Sequence, residues 1–390
     1  NRTGTWSFSN PSGGIIRLSY AGLTDPVWAG GTGNWSTGFS PAVSSGDAIY
    51  FTGAGGTATN NIASGTLSSL ASIGFQASAG GYTLAANSGS AGNGSVLTVT
   101  GAITNDSSST QAINMDVAPG SIVINSGTTQ IGASGRLNSG SYSNTISNNG
   151  TFIYSGTNAQ TLSGSFSGSG SIIQNGTGTL TITGATSSGA ITINSGSLVL
   201  QAPSSYAGLN ASGININNGS TVTIQGSYGM WASKTFTFDS NGGGAMIIGS
   251  GNNVFRAAQT FTTNGGSQNT ISGSYLNCDS AVTHTFNIAD GTDDTDLLVS
   301  AAIQGIVSIQ KTGAGKMSLT SSSNTFSGNL TINNNSGTVE IGGSGRLGSG
   351  SYAGNISIGT WSAFTYNSTA DQTLSGVLSG AGTFYKYSSS

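Results

Sequence analysis

The side chains best suited to chemistry in this sequence are four aspartates in the stretch ADGTDDTDLL: Asp290, Asp293, Asp294 and Asp296. Clustered carboxylates can act as the acid and the base of polysaccharide cleavage, usually beside a His, Arg or Lys. They can also bind Ca²⁺, a hard cation that prefers several oxygen ligands, although the spacing does not fit an EF-hand loop. We favour a polar turn between two strands, and keep Ca²⁺ as the alternative cofactor and catalysis as the last alternative.

Other groups that catalysis would need are scarce. Glu340 is the only glutamate, His284 the only histidine and Cys278 the only cysteine. One histidine cannot build a His-based metal site, and one cysteine cannot form a disulfide framework or a thiolate cluster. No G-x-S-x-G elbow stands before a helix, and the Gly-rich segments lack the Lys of a phosphate loop. The sequence therefore predicts a protein that is not an enzyme and has no cofactor other than the Ca²⁺ alternative.

Tryptophan is the residue type that could bind sugars, by stacking on their rings. The chain has five tryptophans: Trp6, Trp28, Trp35, Trp231 and Trp361. Trp28 and Trp35 are close enough in sequence to share a surface. Packing in the core or in a cap is the simpler interpretation, and surface glycans stay an alternative partner.

The composition excludes several classes of partner. Charged residues make up only 5% of the chain, against roughly 25% in typical soluble domains. A net charge of −3 gives no electrostatic footprint for nucleic acid or an anionic membrane. No stretch approaches about 20 consecutive apolar residues, so the sequence predicts no membrane insertion. An N-terminal Asn in place of Met indicates a processed terminus or the edge of a longer chain.

Strand patterns recur along the chain and must position all of these residues. Residues 179–184 (TLTITG), 190–200 (AITINSGSLVL) and 330–342 (LTINNNSGTVEIG) alternate Ile, Leu or Val with Thr, Asn or Ser. A period of two is the pattern of a half-buried strand. Asn-Gly and Ser-Gly pairs, which accept positive φ in turns, bound these runs. No window shows a convincing helical stripe, so the sequence predicts an all-β protein.

Internal repeats predict how the strands are arranged. Residues 131–142 (IGASGRLNSGSY) recur as 341–352 (IGGSGRLGSGSY), and residues 160–171 (QTLSGSFSGSGS) recur as 372–383 (QTLSGVLSGAGT). Units too small to close a core alone stack into a solenoid. Stacking places equivalent side chains about 4.8 Å apart, where like charges repel and Thr, Ser or Asn can form hydrogen-bonded ladders. We predict a right-handed parallel β-helix with irregular N-terminal rungs, with a sandwich or a propeller as alternatives.

Two stretches, residues 176–200 and 311–342, resemble the autotransporter-associated β-strand repeat. Its pattern is approximately G-x-G-x-L-x-L-x-G, then N-T-[YF]-S-G, then T-x-I-x-x-G-x-L. The central slot holds Asn324, Thr325, Phe326, Ser327 and Gly328 in the second stretch, and only Ser187, Ser188 and Gly189 in the first. Residues 28–51 also resemble the leader region of large secreted bacterial proteins that carry these repeats. The resemblance implies a secreted or surface-bound bacterial β-helix and no chemistry.

The two ends of the sequence match consecutive parts of the repeat. Residues 4–10 (GTWSFSN) align with 178–184 (GTLTITG), and residues 379–390 align with 167–178, directly before. Joining the end of one copy to the start of another restores the repeat, and an uncovered solenoid end can pair with another chain. The predicted donor residues are Gly4, Thr5, Trp6, Ser7, Phe8, Ser9, Ile15, Ile16 and Leu18. The predicted acceptor residues are Leu374, Leu378, Phe384, Tyr385 and Tyr387.

These observations predict a non-enzymatic structural subunit of an extracellular bacterial filament. The subunits assemble head to tail by strand complementation, and the filament serves adhesion or matrix building. The main partner is the chain itself, with surface glycans or neighbouring filaments as further partners. The alternatives are a monomeric or cell-anchored adhesin and a carbohydrate-active β-helix enzyme. The predicted segments are a donated strand segment (1–18), a β-rich region (19–119), a first repeat block (120–209), a divergent middle (210–305) and a second repeat block with an uncapped end (306–390).

Overall fold

The structure, a computed structural model, confirms the predicted all-β parallel solenoid. It describes residues 5–9, 17–21, 25–201, 207–217, 219–239, 241–251 and 253–387. Strands take up 50% of the chain and helices 3%, and parallel sheets form a β-solenoid of about 15 turns. The chain divides into two compact units, Asn1–Gly150 and Thr151–Ser390. That boundary falls inside the predicted first repeat block, and the other segment boundaries stay predictions.

The first unit contains two parallel sheets and an antiparallel hairpin. In one sheet the strands are Val27–Gly30, Ala48–Ala54, Ser69–Leu70, Ser72–Phe75, Leu97–Asn105, Asp116–Ile124, Arg136–Leu137 and Ile146–Asn148. In the other they are Gly33–Asn34, Gly56–Asn60, Tyr82–Ala86, Thr110–Ile113 and Thr128–Ile131. The hairpin consists of Thr5–Ser9 and Arg17–Ala21. The remaining elements are a short α-helix, Trp35–Gly38, a 3₁₀ turn, Asn138–Gly140, and the strand Ser141–Tyr142.

The second unit has two long parallel sheets. The first long sheet contains Thr151–Tyr154, Ser171–Gln174, Ile191–Ile193, Gly213–Ile216, Thr235–Phe238, Thr260–Thr263, Thr283–Ile288, Ser308–Thr312, Leu330–Ile332, Ile356–Ile358 and Leu378–Gly380. The second long sheet contains Gln160–Leu162, Thr179–Ile182, Ser197–Gln201, Thr221–Gln225, Ala245–Ile248, Asn269–Gly273, Leu297–Val299, Lys316–Leu319, Gly337–Gly343, Ser362–Ser368 and Thr383–Lys386.

Short strands in the second unit form a discontinuous third side. They pair as Ala207–Gly208 with Tyr228–Gly229, Tyr275–Cys278 with Ala302–Gly305, and Ser351–Tyr352 with Thr373–Leu374. Two further elements are the strand Phe166–Ser167 and the 3₁₀ turn Gly348–Gly350.

Alternation of side chains along each strand builds the core. Phe236, Phe261 and Phe286 occupy paired positions on three successive rungs of the first long sheet. All three are fully buried, and their rings stack with centroid separations of 5.2 and 4.8 Å. One inward-facing residue per rung thus becomes a continuous aromatic ladder, as the two-residue period predicts.

Polar side chains form ladders at the turns, as the sequence predicts. The Asn194 side-chain amide donates to the side-chain oxygen of Asn175 at 2.6 Å, and Asn217 donates to Asn194 at 2.7 Å. Gly196, two residues after Asn194, has a φ of 67° and leaves no room for a Cβ beside the Gly176 carbonyl. Asparagine ladders and glycine turns therefore repeat together at this corner of the solenoid.

Candidate assembly surface and other candidate sites

The predicted acceptor residues lie on the last described rung of the second unit. The strands of this rung are Thr373–Leu374, Leu378–Gly380 and Thr383–Lys386. Each pairs in parallel with a strand of the rung before it, namely Ser351–Tyr352, Ile356–Ile358 and Ser362–Ser368. Among the described residues, Leu378–Gly380 and Thr383–Lys386 are the end strands of the two long sheets. Their outer edges therefore present backbone groups to which another strand can pair.

Apolar side chains on this rung are more exposed than their counterparts in the first copy of the repeat. Leu378 is 44% exposed and Phe384 is 40% exposed. The repeat aligns them with Phe166 and Ile172, which are 3% and 0% exposed. Ile172 is covered because the next rung places Ile191 against it. Apolar side chains of the last described rung are thus partly exposed. At the equivalent positions in the first copy of the repeat, the next rung covers the side chains.

Two of the predicted acceptor residues face outward. Tyr385 and Tyr387 are 46% and 53% exposed, and their rings stack on each other 6.2 Å apart. Phe384, in contrast, stacks on the buried Phe364 of the preceding rung at 5.7 Å. Because side chains alternate along a strand, both tyrosines point away from the face that Phe384 occupies. They can flank an added strand, but they cannot form part of its apolar core.

A groove of about 250 Å³ lies beside the same strands and is lined by Gln372, Phe384 and Lys386, among others. The Gln372 side chain bridges two rungs, since it accepts the Leu347 N–H at 2.7 Å and donates to the Leu347 carbonyl at 3.0 Å. The Lys386 ammonium lies 5.4 Å from the centroid of the Tyr366 ring. Polar side chains at this end therefore contact the rung before their own, as polar side chains do elsewhere in the solenoid.

The predicted donor strand is part of the N-terminal hairpin. Thr5–Ser9 pairs antiparallel with Arg17–Ala21, with Trp6 opposite Tyr20 and Phe8 opposite Leu18. The predicted donor residues Gly4, Ile15 and Ile16 lie outside the described residues. A strand has two edges, and the hairpin uses one edge of Thr5–Ser9. The other edge is the one that strand complementation would require.

The aspartate cluster organises turns. Asp296 is 3% exposed and accepts the Gly291 N–H at 2.7 Å and the Lys316 N–H at 2.6 Å. Asp293 accepts the Gln268 N–H at 2.7 Å. These oxygens are engaged by N–H donors, as the polar-turn interpretation expects.

Asp294 pairs with the Lys316 ammonium at 2.8 Å, and this hydrogen bond lowers the pKa of Asp294. The same ammonium lies 3.0 Å from Glu340. Over the described ranges, which include Asp290, no three His, Cys, Asp or Glu residues are grouped so that they could hold a metal ion. The geometry therefore offers no support for the Ca²⁺ alternative.

The only histidine and the only cysteine lie together in the core. Cys278 Sγ lies 3.1 Å from His284 Nε2, and His284 Nδ1 accepts the Gln259 N–H at 3.2 Å. Burial lowers the pKa of His284 to about 4 and raises the pKa of Cys278 to about 12. At neutral pH both groups are therefore uncharged, and this pair is suited to packing.

The tryptophans separate into two groups. Trp28 and Trp35 are 2% and 0% exposed and pack around Phe39, so the core-packing interpretation is confirmed for both. Trp231 and Trp361 are 56% and 82% exposed. Of the tryptophans with a described side chain, these two therefore have exposed rings.

The N-T-F-S-G stretch has a structural role in the described chain. Asn324 is 1% exposed and accepts the Ile303 N–H at 2.9 Å. Its amide nitrogen donates to the Ser321 carbonyl at 2.7 Å and to the Arg346 carbonyl at 3.1 Å. One side chain thus connects three consecutive rungs, which explains physically why an Asn suits this slot.

Comparisons with protein-family models, with curated proteins and with solved structures find no match to this chain. Within the described residues, no helix is both long enough and apolar enough to cross a membrane.

Proposed function

We propose that this protein is a non-enzymatic structural subunit that assembles head to tail, the N-terminal strand of one copy adding to the last described rung of the next. The observation that carries the proposal is the exposure of Leu378 and Phe384 at positions that are buried in the first copy of the repeat. The match of residues 4–10 to residues 178–184 supports a second copy as the occupant.

The internal repeat specifies a register for the added strand. In the first copy, Thr161 pairs with Thr181 and Leu162 pairs with Ile182. Residues 160–171 align with 372–383, and residues 178–184 align with 4–10. The same pairing in an assembly therefore places Ser7 opposite Thr373 and Phe8 opposite Leu374. Trp6, by the same rule, lies opposite Gln372.

The free energy that apolar burial contributes to association favours assembly above a threshold protein concentration. In this register Phe8 lies beside Leu374, and the rest of residues 1–18 would cover Leu378 and Phe384, which contributes roughly 1 kcal/mol for each of the two. Each large apolar donor side chain transferred from water to the core contributes about 1.5–3 kcal/mol. Association costs an estimated 4–15 kcal/mol in lost freedom. Gain and cost are of the same order, so we expect filaments at high protein concentration and dissociation on dilution.

The setting of this assembly is also a proposal. The stretch that resembles the autotransporter-associated repeat consists of the strand Lys316–Leu319, a turn at Asn324, and the strands Leu330–Ile332 and Gly337–Gly343. That resemblance supports a secreted bacterial protein, used outside the cell for adhesion or matrix building. In the described ranges, Asp293 and Asp296 accept backbone N–H groups in turns and the His284–Cys278 pair packs in the core, which supports a mechanical role for these groups.

Negative-stain electron microscopy tests the proposal. Long filaments from the native chain should disappear when residues 1–18 are deleted and when Leu378→Asp places a charge on the covered face. Val377→Asp is the matched control, because Val377 is 63% exposed and aligns with the exposed Ser165. Short rods from all samples, or filaments that survive Leu378→Asp, would refute head-to-tail assembly and favour the monomeric or cell-anchored adhesin.

A further inference from the structure

An exposed tryptophan in the divergent middle of the chain is held in a fixed orientation. Trp231 is 56% exposed, and the Arg256 guanidinium lies over its ring, 4.2 Å from the centroid. The indole also lies against the backbone of Gly229, where a Cβ would overlap it. The exposed indole is therefore restrained on two sides, by the guanidinium and by the glycine backbone.

The arginine is itself fixed by a carboxylate. Arg256 Nε and Nη2 lie 2.8 and 2.7 Å from Asp279 Oδ2. Both side chains are about one-third exposed, so each keeps contact with solvent. Because the two charges oppose each other, the site carries no net charge. Preorganised groups of this kind lose little conformational freedom when a ligand binds.

The three residues occupy equivalent positions on successive rungs. Gly229 pairs with Val254, which in turn pairs with Asn277, and Trp231, Arg256 and Asp279 each follow these bridge residues by two. The next equivalent position is Ile306, which is 50% exposed. Rungs are about 4.8 Å apart, so the row extends over a distance comparable with two or three sugar units.

We propose that the row Trp231–Arg256–Asp279, referred to below as the tryptophan row, binds a neutral pyranose oligosaccharide. The C–H face of a pyranose ring packs on a flat aromatic surface, and its hydroxyl groups can both donate and accept hydrogen bonds. The exposed indole supplies the apolar surface, the guanidinium supplies donors and the carboxylate supplies acceptors. Because Asp279 neutralises Arg256, an anionic sugar gains little charge attraction here. This site does not depend on filament assembly, since all of its residues lie within one unit.

Glycan-array binding followed by titration calorimetry tests the tryptophan row. The probes are cellohexaose, maltohexaose and laminarihexaose as neutral sugars, and oligogalacturonate as an acidic sugar. We expect at least one neutral hexasaccharide to bind, and Trp231→Ala to weaken it tenfold or more. Trp361→Ala is the matched control, because Trp361 is more exposed and has no comparable stacked arginine among the described contacts. It should bind like the native chain.

A second variant separates binding from folding. Arg256→Lys keeps the charge but loses the planar stack and the fork toward Asp279, so we expect a several-fold loss of affinity with an unchanged circular dichroism spectrum. Three results would overturn the proposal: no neutral probe binds at millimolar concentration, Trp231→Ala binds as well as the native chain, or oligogalacturonate binds more tightly than every neutral probe.

Discussion

The Asn324 side chain offers a direct test of how one rung is connected to the next. Replacing Asn324 with Ala removes the acceptor of the Ile303 N–H and the donor to the Ser321 and Arg346 carbonyls. Each net hydrogen bond contributes about 1 kcal/mol, and a buried backbone group left without its partner costs about 1–3 kcal/mol. Since Asn324 is 1% exposed, water does not readily replace the lost amide. We expect Asn324→Ala to lower the free energy of unfolding by about 3–5 kcal/mol.

Guanidinium unfolding followed by circular dichroism measures this loss. Repeat proteins can open locally, so hydrogen exchange at the Ile303 amide provides a second, local measurement. A loss of 3 kcal/mol corresponds to exchange about a hundredfold faster. Asn158→Ala is the matched control, because Asn158 is exposed in a turn of the same unit. Equal unfolding midpoints for the two variants, with unchanged protection at Ile303, would refute the reasoning.

Three further predictions concern the core of the second unit, all measured by denaturant unfolding. Phe261→Ala should cost about 3–5 kcal/mol and Phe261→Leu less than about 1.5 kcal/mol, because Phe261 stacks on an aromatic ring above and below; equal losses would contradict a ladder. The folded-state pKa of His284 is lowered from 6.5 to about 4. As pH falls, the unfolded chain therefore binds a proton at His284 before the folded chain does. The contribution of His284 to the free energy of unfolding is complete above pH 6.5 and is lost between pH 6.5 and 4, at about 1.4 kcal/mol per pH unit. His284→Gln should flatten that slope, and an unchanged slope would exclude His284 as its source. Burial lowers the pKa of Lys311 from 10.5 to about 7, so stability should rise with pH between these values, whereas Lys311→Met should remove the rise.

The fold and the inward-facing residues could be predicted from local patterns. A period of two places Phe261 and Phe286 on the core side, and low charge follows from stacking rungs at a short repeat. Lys311 is an exception that the pattern did not anticipate. It occupies a buried position and donates from Nζ to the carbonyls of Thr312, Gly313 and Ser336 at 2.7–2.9 Å. Backbone carbonyls therefore supply hydrogen-bond partners to a buried lysine in this fold, although burial still disfavours its charged form.

The repeat did not predict which sheet each strand joins. Ser171–Gln174 and its repeat counterpart Thr383–Lys386 lie in different long sheets of the same unit. Rung length varies along the solenoid, since Thr151 pairs with Ser171, 20 residues on, whereas Thr260 pairs with Thr285, 25 residues on. Strand and turn conformations are encoded locally. The sheet that a strand joins depends instead on how many residues the preceding rungs contain in total.

The candidate sites are formed by residues on different rungs. Their proximity cannot be seen in the sequence until the pairing register of the rungs is known. Trp231, Arg256 and Asp279 are 25 and 23 residues apart and look unrelated in the sequence. The signal that could have identified them is that spacing, which equals one rung. The outward direction of Tyr385 and Tyr387 could likewise have been read from their alternation with Phe384.

The most direct test of the central proposal is a disulfide cross-link in the specified register. We would prepare the double variant Ser7→Cys, Thr373→Cys, whose paired Cα atoms would lie about 4.8 Å apart, within the range that a disulfide spans. The native Cys278 is buried and should not compete. Head-to-tail assembly predicts a ladder of disulfide-linked oligomers on a non-reducing gel, absent from each single variant and weak for Ser9→Cys, Thr373→Cys. No ladder, or equal ladders for the Ser7 and Ser9 variants, would contradict strand addition in this register.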